Sequence, residues 1–150
     1  MIEIGTLNLT PKHINKVIQA LKSNRLSYGP MTDEFERKFT KRHGNKYGIF
    51  TNSGTSALQA SIHAMKILYG WKDQEEIIMP ATTFVATYNV ILQNNMKPVL
   101  VDVGLDFNIN PSLIEEKITK KTRAIMPVHL LGKPCDMNKI MKIAHKHKLK

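Results

Sequence analysis

Short apolar runs that alternate with amphipathic helical stretches most strongly constrain what this chain can fold into. From Lys46 onward the order is an apolar run YGIFTNS, a helical stretch SALQASIHAMKIL, a run EEIIMP, a helical stretch around FVATYNVILQN and a run KPVLVDV. A helix opened by Asn110 and Pro111, a run TRAIMPVHL and a helix that begins near Asp136 complete the series. This βαβα order predicts an α/β fold with three layers, in which helices cover both faces of a mainly parallel sheet.

Two further helices are predicted ahead of this series. Thr10 and Pro11 suit an N-cap and a first helical position. The apolar residues that follow them recur at spacings of three and four: Ile14, Val17, Ile18 and Leu21. A second helix is predicted from about Asp33 to His43, with Gly44 as its stop and a loop, SNRLSYGP, before it. We therefore divide the chain into an N-terminal helical segment, residues 1–45, and a larger α/β part, residues 46–150.

Composition excludes several classes of protein. No apolar run approaches the ~20 residues that span a bilayer, and the first residues lack the basic and then apolar pattern of a signal peptide. We expect a cytoplasmic protein, and the single cysteine, Cys135, excludes an internal disulfide. The net charge of +10 is spread over predicted helix faces without a nucleic-acid-binding motif. No membrane or nucleic-acid partner is therefore expected.

The strongest candidate site is the segment TNSGTSAL, which joins an apolar run to an amphipathic helix. Ligands of open α/β sheets lie beyond the carboxyl ends of the strands. Here Gly54 allows a tight turn, Thr55 and Ser56 supply hydroxyl groups, and the first N–H groups of the helix are free to bind an anion. The pattern matches neither a Walker P-loop nor GxGxxG. A simple helix cap after a glycine turn is the alternative.

Two other segments end apolar runs at the same edge of the predicted sheet. In MPATTFVAT, Phe84 is predicted in the first helical turn, where its ring can lie against a planar ligand; burial in the core is the alternative. In MPVHLLGKPCDM, His129 follows a strand directly and is either a ligand-binding or a structural histidine. No second metal ligand accompanies His129 at a suitable spacing, so no metal site is predicted.

Five segments together resemble the DegT/DnrJ/EryC1/StrS family of PLP-dependent sugar aminotransferases. They are GPMTDEFERKF, TNSGTSAL, IIMPATTFVAT, KPVLVDV and PVHLLGKPCDMNKI, in the order and approximate spacing of the family, from about Leu7 to the last residue. The resemblance implies the N-terminal part of a fold type I large domain. It also implies pyridoxal 5′-phosphate (PLP) as cofactor and an obligate homodimer with active sites at the subunit interface.

The resemblance also implies roles for individual residues. Gly54, Thr55 and Ser56 would hold the phosphate of PLP, Phe84 would stack on the pyridine ring, and His129 would border the pocket. The segment Tyr28–Pro30 would lie near the dimer interface. In the family, the lysine that forms the Schiff base and the acid that pairs with the pyridine nitrogen belong to segments beyond Lys150. We therefore assign no catalytic residue, and we expect a partial chain that is inactive by itself.

The function implied for the complete enzyme is transfer of an amino group from an amino acid, with glutamate as the expected donor, to a nucleotide-linked keto sugar. The product would enter surface polysaccharide or amino-sugar biosynthesis. Two alternatives stay open from the sequence. One is a PLP-dependent sugar dehydratase of the same family, and the other is a non-catalytic binding or dimerisation module.

Overall fold

The computed structural model describes residues 7–25 and 27–150, in two units that meet in sequence between Phe50 and Thr51. The first six residues of the predicted helical segment, and Leu26 of the predicted loop, lie outside the described residues. Within the described ranges, no helix has the length and hydropathy needed to cross a bilayer.

The first unit contains helices α1, Pro11–Lys22, and α2, Pro30–His43. As predicted, Thr10 is the N-cap of α1 and Pro11 its first residue. Gly44 ends α2 with a left-handed φ of 68°. Helix α2 starts at Pro30 rather than at about Asp33, because proline suits a first helical position that needs no N–H partner.

The predicted strand at YGIF is wrong: residues 46–50 form no strand. Tyr47 and Ile49 are 77% and 87% exposed, and the backbone N–H of Phe50 donates to the Glu36 carboxylate at 2.6 Å. The N–H of Phe50 thus bonds a side chain and not a neighbouring strand, and apolar character alone does not make a strand.

The second unit is a βα series that matches most of the predicted order. Its elements are α3, Gly54–Tyr69; β1, Glu76–Pro80; α4, Val85–Gln93; β2, Lys97–Val101; β3, Thr122–Ile125; and α5, Met137–His147. The sheet has the order β2-β1-β3, and β1 pairs in parallel with both neighbours. All five residues of the central strand β1 are buried.

Apolar clusters cover both faces of this sheet, as the alternation of side chains along β1 requires. Ile77 and Met79 pack in one cluster with residues of α3 and α4, whereas Ile78 packs in the other with Ile140 and Ala144 of α5. The predicted α/β fold with a parallel sheet between helical layers is therefore confirmed.

The α-helix predicted to open at Asn110 and Pro111 is wrong. The segment forms two 3₁₀ turns, Pro111–Leu113 and Glu115–Lys117. The Asn110 side chain accepts from the backbone N–H of Ser112 at 3.1 Å, which favours a tight turn, and Ile118 is already extended. The segment is too short to build an α-helix with a buried face.

One buried carboxylate connects the first residues of all three strands. Glu76 of β1 is 4% exposed and accepts hydrogen bonds from Lys97 of β2 and Thr122 of β3, both at 3.2 Å, and from Thr119. Burial alone would raise the pKa of Glu76, but these three donors outweigh it and hold the pKa below its ordinary value.

The free edge of β3 is occupied by Lys150. Its N–H donates to the carbonyl of Arg123 at 3.0 Å, and its carbonyl accepts from the N–H of Ile125 at 2.9 Å. This pair of bonds is the pattern of a parallel strand. Lys150, after α5, therefore pairs with β3 in the manner of a parallel neighbour.

Candidate cofactor site

Helices α3 and α4 direct their N-termini toward the edge of the sheet where the strands end. Helix α4 follows the carboxyl end of β1, so it starts at this edge. At the opposite end Lys66, in the last turn of α3, donates to the carbonyl of Asn94, the C-cap of α4, at 2.8 Å. The two helices thus run in the same direction, and the segments that hold Gly54, Phe84 and His129 all lie at the carboxyl edge.

The N-terminus of α3 is capped locally. The Ser53 hydroxyl accepts from the backbone N–H of Ser56 at 3.1 Å, and the Ser56 hydroxyl donates to Asn52 Oδ1 at 2.7 Å. The capping alternative is therefore correct for Ser53. The Ser56 hydroxyl, which the sequence analysis nominates for a ligand, is engaged in this cap.

The cap leaves other donors free. Among the described residues, the N–H groups of Gly54 and Thr55 and the hydroxyl of Thr55 have no hydrogen-bond partner. They belong to the first turn of a helix of 16 residues, where the helix dipole favours negative charge. A cap and an anion site therefore coexist in this turn, because they use different N–H groups.

Gly54 is not required by backbone geometry, contrary to the predicted tight turn. Its φ lies outside the left-handed region, and a Cβ added there would meet no atom within 4 Å. The space in front of this turn is open. A phosphate group fits the chemistry and the accessibility of these donors.

Phe84 precedes α4 as its N-cap, rather than lying in the first helical turn. Its side chain is 72% exposed, so the alternative of a core residue is wrong. The ring is free to contact a planar ligand at the edge of the sheet. Behind it, the hydroxyls of Thr83 and Thr87 lie 3.0 Å apart and join the N-terminal segment to the helix.

His129 lies in the exposed segment that follows β3. Its Nδ1 accepts the backbone N–H of Cys135 at 3.0 Å, and the Cys135 thiol donates to the carbonyl of Val128 at 3.1 Å. Burial raises the pKa of this thiol, so it stays protonated at neutral pH. One ring nitrogen of His129 thus has a structural partner, while Nε2 has none among the described residues.

Tyr28 of the segment Tyr28–Pro30 belongs to the first unit, whereas the other candidates belong to the second. Its hydroxyl donates to Asp33 at 2.6 Å and lies 2.9 Å from a Glu36 oxygen. Hydrogen bonds to these two carboxylates, with the larger effect from Asp33, raise the pKa of the Tyr28 hydroxyl well above its ordinary range. Tyr28 is therefore neutral at physiological pH.

Asn108, which no sequence motif marks, is 2% exposed and connects two loops at the carboxyl edge. The available signal is a polar residue next to apolar Ile109 in FNIN. This signal does not distinguish a buried asparagine from an ordinary turn residue.

The second unit is an α/β domain with open N–H groups at the start of a helix, beyond the carboxyl ends of parallel strands. Proteins of this class commonly bind phosphate groups at that place. Comparison with known families agrees. Residues 8–150 match the DegT/DnrJ/EryC1/StrS aminotransferase family, and the chain belongs to that family.

Two relatives of this chain are named as enzymes that transfer an amino group in sugar metabolism. The chain is 43% identical to a dTDP-3-amino-3,6-dideoxy-alpha-D-galactopyranose transaminase of Aneurinibacillus thermoaerophilus, over 88% of the chain and 36% of the relative. It is 38% identical to a 3-oxo-glucose-6-phosphate:glutamate aminotransferase of Bacillus subtilis, over 91% of the chain and 30% of the relative.

A solved structure extends the likeness to the fold. The E. coli GDP-4-keto-6-deoxy-D-mannose-3-dehydratase with bound hydrated PLP superposes with a TM-score of 0.88 at 27% identity, over 96% of the chain and 38% of that structure. The chain thus spans about a third of the length of these proteins.

Proposed function

We propose that the chain is the PLP-binding part of an aminotransferase that moves an amino group from an amino acid to a nucleotide-linked keto sugar. The observation that carries the proposal is the open first turn of α3, where the N–H groups of Gly54 and Thr55 and the Thr55 hydroxyl await an acceptor. PLP, when bound, carries the amino group and acts as an electron sink. The family membership supports this cofactor.

Each nominated residue has a distinct part in holding the cofactor. Gly54 and Thr55 bind the phosphate through N–H groups, and the Ser56 hydroxyl joins them by turning from Asn52. Phe84 covers one face of the pyridine ring. His129 borders the ring through Nε2. Residues 46–150 are then part of the PLP-binding domain.

The substrates are proposed from the relatives. One relative is named for a dTDP-linked sugar and another for glutamate as amino donor, which supports a nucleotide sugar and glutamate here. Amino-sugar and surface polysaccharide biosynthesis in the cytoplasm is the corresponding setting.

A homodimer is proposed through the N-terminal segment, residues 1–45. Helix α1 buries none of its residues, and its apolar stripe is 40% to 59% exposed. The stripe consists of Ile14, Val17, Ile18 and Leu21. Such a face on a soluble helix indicates a protein partner, and a second copy is the partner that the family resemblance implies.

A sugar dehydratase is the second candidate, favoured by the likeness to the PLP-bound GDP-sugar dehydratase. The aminotransferase is preferred because the relatives at 38% and 43% identity carry aminotransferase names. Incubating the whole protein with a nucleotide keto sugar and glutamate separates the two. Gain of nitrogen by the sugar supports the aminotransferase, and loss of a hydroxyl without nitrogen supports the dehydratase.

The phosphate site is tested by competition. PLP should bind the chain more tightly than pyridoxal, which lacks the phosphate, and inorganic phosphate should displace PLP. Chemical shifts of the Gly54 and Thr55 amides should report both ligands. Equal binding of PLP and pyridoxal would contradict the proposed site.

Gly54→Ala should weaken phosphate binding roughly threefold to tenfold, because glycine lets an anion approach the backbone closely. The free energy of unfolding should stay unchanged or rise by up to about 1 kcal/mol, since the added methyl meets nothing. Phosphate titration and denaturant unfolding measure the two effects.

Gly70→Ala is the matched control for this change. Gly70 ends α3 with a left-handed φ of 65°, so an alanine there should cost about 1 kcal/mol of stability and leave phosphate binding unchanged. A Gly54 variant that loses stability without losing affinity would return Gly54 to a purely structural role.

Phe84→Ala should weaken PLP binding roughly twofold to tenfold through the loss of ring stacking. Phosphate binding should not change, because the ring contacts only the heterocycle. The absorbance of bound PLP and a phosphate titration measure the two effects. Leu92→Ala, at an exposed site elsewhere on α4, should change neither, and an unaltered PLP affinity in Phe84→Ala would remove the ring from the site.

A further inference from the structure

The Asn108 side chain is hydrogen-bonded to both ends of the loop Leu130–Pro134, which follows His129. Its Oδ1 accepts the backbone N–H of Leu130 at 3.1 Å. Its Nδ2 donates to the carbonyls of Lys133 at 3.1 Å and Pro134 at 3.3 Å. One buried amide thus satisfies backbone groups at both ends of the loop Leu130–Pro134, and both donor and acceptor atoms of the side chain are used.

A tight turn fixes Asn108 itself. Val103 and Ile109 form an antiparallel bridge, and the N–H of Gly104 donates to the carbonyl of Asn108 at 2.9 Å. Between them Phe107 adopts a left-handed φ of 62°, a conformation that is strained for a residue with a large side chain. The strained turn sets Asn108 into the interior, where its amide reaches a loop more than twenty residues away.

The clamped loop has an unusual backbone of its own. Leu131 and Gly132 both adopt left-handed geometry, with φ of 52° and 81°. Leu131 is 94% exposed, so no packing of its side chain compensates for the strain. Within the loop, the N–H of Lys133 donates to the carbonyl of Leu130 at 3.0 Å and closes this turn. The hydrogen bonds of Asn108 attach both ends of the turn to the interior.

The conformation of the loop determines which ring nitrogen of neutral His129 carries the proton. It places the Cys135 N–H on His129 Nδ1 at 3.0 Å. An N–H donor requires a lone pair on its acceptor, so the neutral ring carries its own proton on Nε2. Nε2 has no partner among the described residues, and the ring is exposed at the carboxyl edge of the sheet.

We propose that Asn108 is a positioning residue for His129: by clamping the loop Leu130–Pro134, it keeps the Cys135 N–H on Nδ1 and so presents Nε2–H to an acceptor atom of the ligand. The ligand chemistry is a hydrogen-bond acceptor on the ring of the cofactor, distinct from its phosphate. The inference rests on the proposed function for the identity of that ligand. The clamp and the tautomer rest only on contacts within the chain.

The clamp is tested without any ligand by NMR of the ¹⁵N-labelled full chain. A scalar coupling across the hydrogen bond should connect the Cys135 amide nitrogen to His129 Nδ1, and the ring proton should reside on Nε2. Absence of the coupling, or a proton on Nδ1 of the neutral ring, overturns the proposal.

Asn108→Asp tests the positioning step. Aspartate keeps an acceptor for Leu130 but replaces the donor by an oxygen that faces the carbonyls of Lys133 and Pro134. The coupling to His129 should be lost while amide shifts of β1 are retained. Asn110→Asp is the matched control and should keep the coupling, because among the described residues the Asn110 side chain bonds only Ser112, through an oxygen that aspartate retains. A folded Asn108→Asp chain that keeps the coupling overturns the proposal.

Hydrogen exchange of the unmodified chain decides the matter if Asn108→Asp does not fold. The amide hydrogens of Leu130 and Cys135 should have similar protection factors, because loss of the Asn108 hydrogen bonds exposes both amides to solvent. A Cys135 amide that stays protected while Leu130 exchanges freely overturns the proposal.

Two variants of His129 connect the clamp to the ligand. The side chain of glutamine is long enough to place an amide N–H donor near the position of Nε2. The shorter asparagine can place its amide oxygen near the position of Nδ1, but it offers no donor near the position of Nε2. PLP affinity should fall roughly twofold to tenfold in His129→Asn and less in His129→Gln, and inorganic phosphate should bind both equally. Equal PLP affinity in the two variants overturns the role of Nε2–H. Failure of the unmodified chain to bind PLP or phosphate would instead contradict the proposed function and leave the NMR test of the clamp intact.

Discussion

Thr55→Val is expected to weaken PLP binding by about tenfold to a hundredfold. Valine keeps the shape of threonine and removes the hydroxyl, which has no hydrogen-bond partner among the described residues. A hydrogen bond from this hydroxyl to a phosphate dianion is charge-assisted, and such bonds contribute about 1.5–3 kcal/mol. Titration of the chain with PLP and with inorganic phosphate should show the same loss for both ligands.

Thr51→Val is the control for this prediction. Thr51 lies in the same loop, but its hydroxyl donates to the carbonyl of Ser53 at 2.9 Å and is not free for a ligand. Its replacement should change phosphate affinity little. If Thr51→Val and Thr55→Val weaken binding equally, the loss arises from disturbance of the loop, and the assignment of the Thr55 hydroxyl is wrong.

Glu76→Ala is expected to lower the free energy of unfolding by about 2–3 kcal/mol at neutral pH. The change removes three hydrogen bonds and leaves the Thr122 hydroxyl, on a residue that is 3% exposed, without its acceptor. Lys97 contributes less, because its side chain is 58% exposed and regains solvent. Denaturant unfolding of both chains measures the difference.

The effect of Glu76→Ala should depend on pH in a defined direction. The folded pKa of Glu76 is lowered, so its charged form stabilises the fold fully above the unfolded value of about 4.5. This stabilisation is lost as the pH falls from there through the folded pKa. The difference between the two chains should therefore shrink in acid, and a difference that is constant from pH 7 to pH 3 would contradict the role of the carboxylate. Glu116→Ala, on an exposed side chain, is the control.

Local periodicity was sufficient to predict most elements of the second unit. The three strands and α3, α4 and α5 lie where apolar runs and helical spacings place them, because each buries a face against its neighbours. The two wrong elements fail for different reasons. At YGIF and at Asn110 the local pattern was suitable, but no neighbouring strand pairs with the first, and a turn interrupts the second.

The site was predictable only in its local parts. Gly54 and Thr55 were nominated from a single local turn, although the tight turn expected at Gly54 is not required. For Phe84 the sequence left burial in the core open, and its exposure is known only from the structure. The partners of Asn108 lie 22 to 26 residues away, beyond the reach of any local pattern. Likewise, the partner of His129 Nδ1 is a backbone N–H, which every residue except proline offers and no sequence motif identifies.

The contact between Lys66 and Asn94 has a further consequence. Lys66 joins the far ends of two parallel helices, and it also pairs with Asp73, while Asn94 is 6% exposed and donates to Gln59. Thr55 on α3 and Phe84 at the start of α4 are therefore carried by two helices that are hydrogen-bonded to each other. The hydrogen bonds that connect the two helices are made by residues of the helices and of their C-cap, so they do not depend on the side chains of the loops at the carboxyl edge.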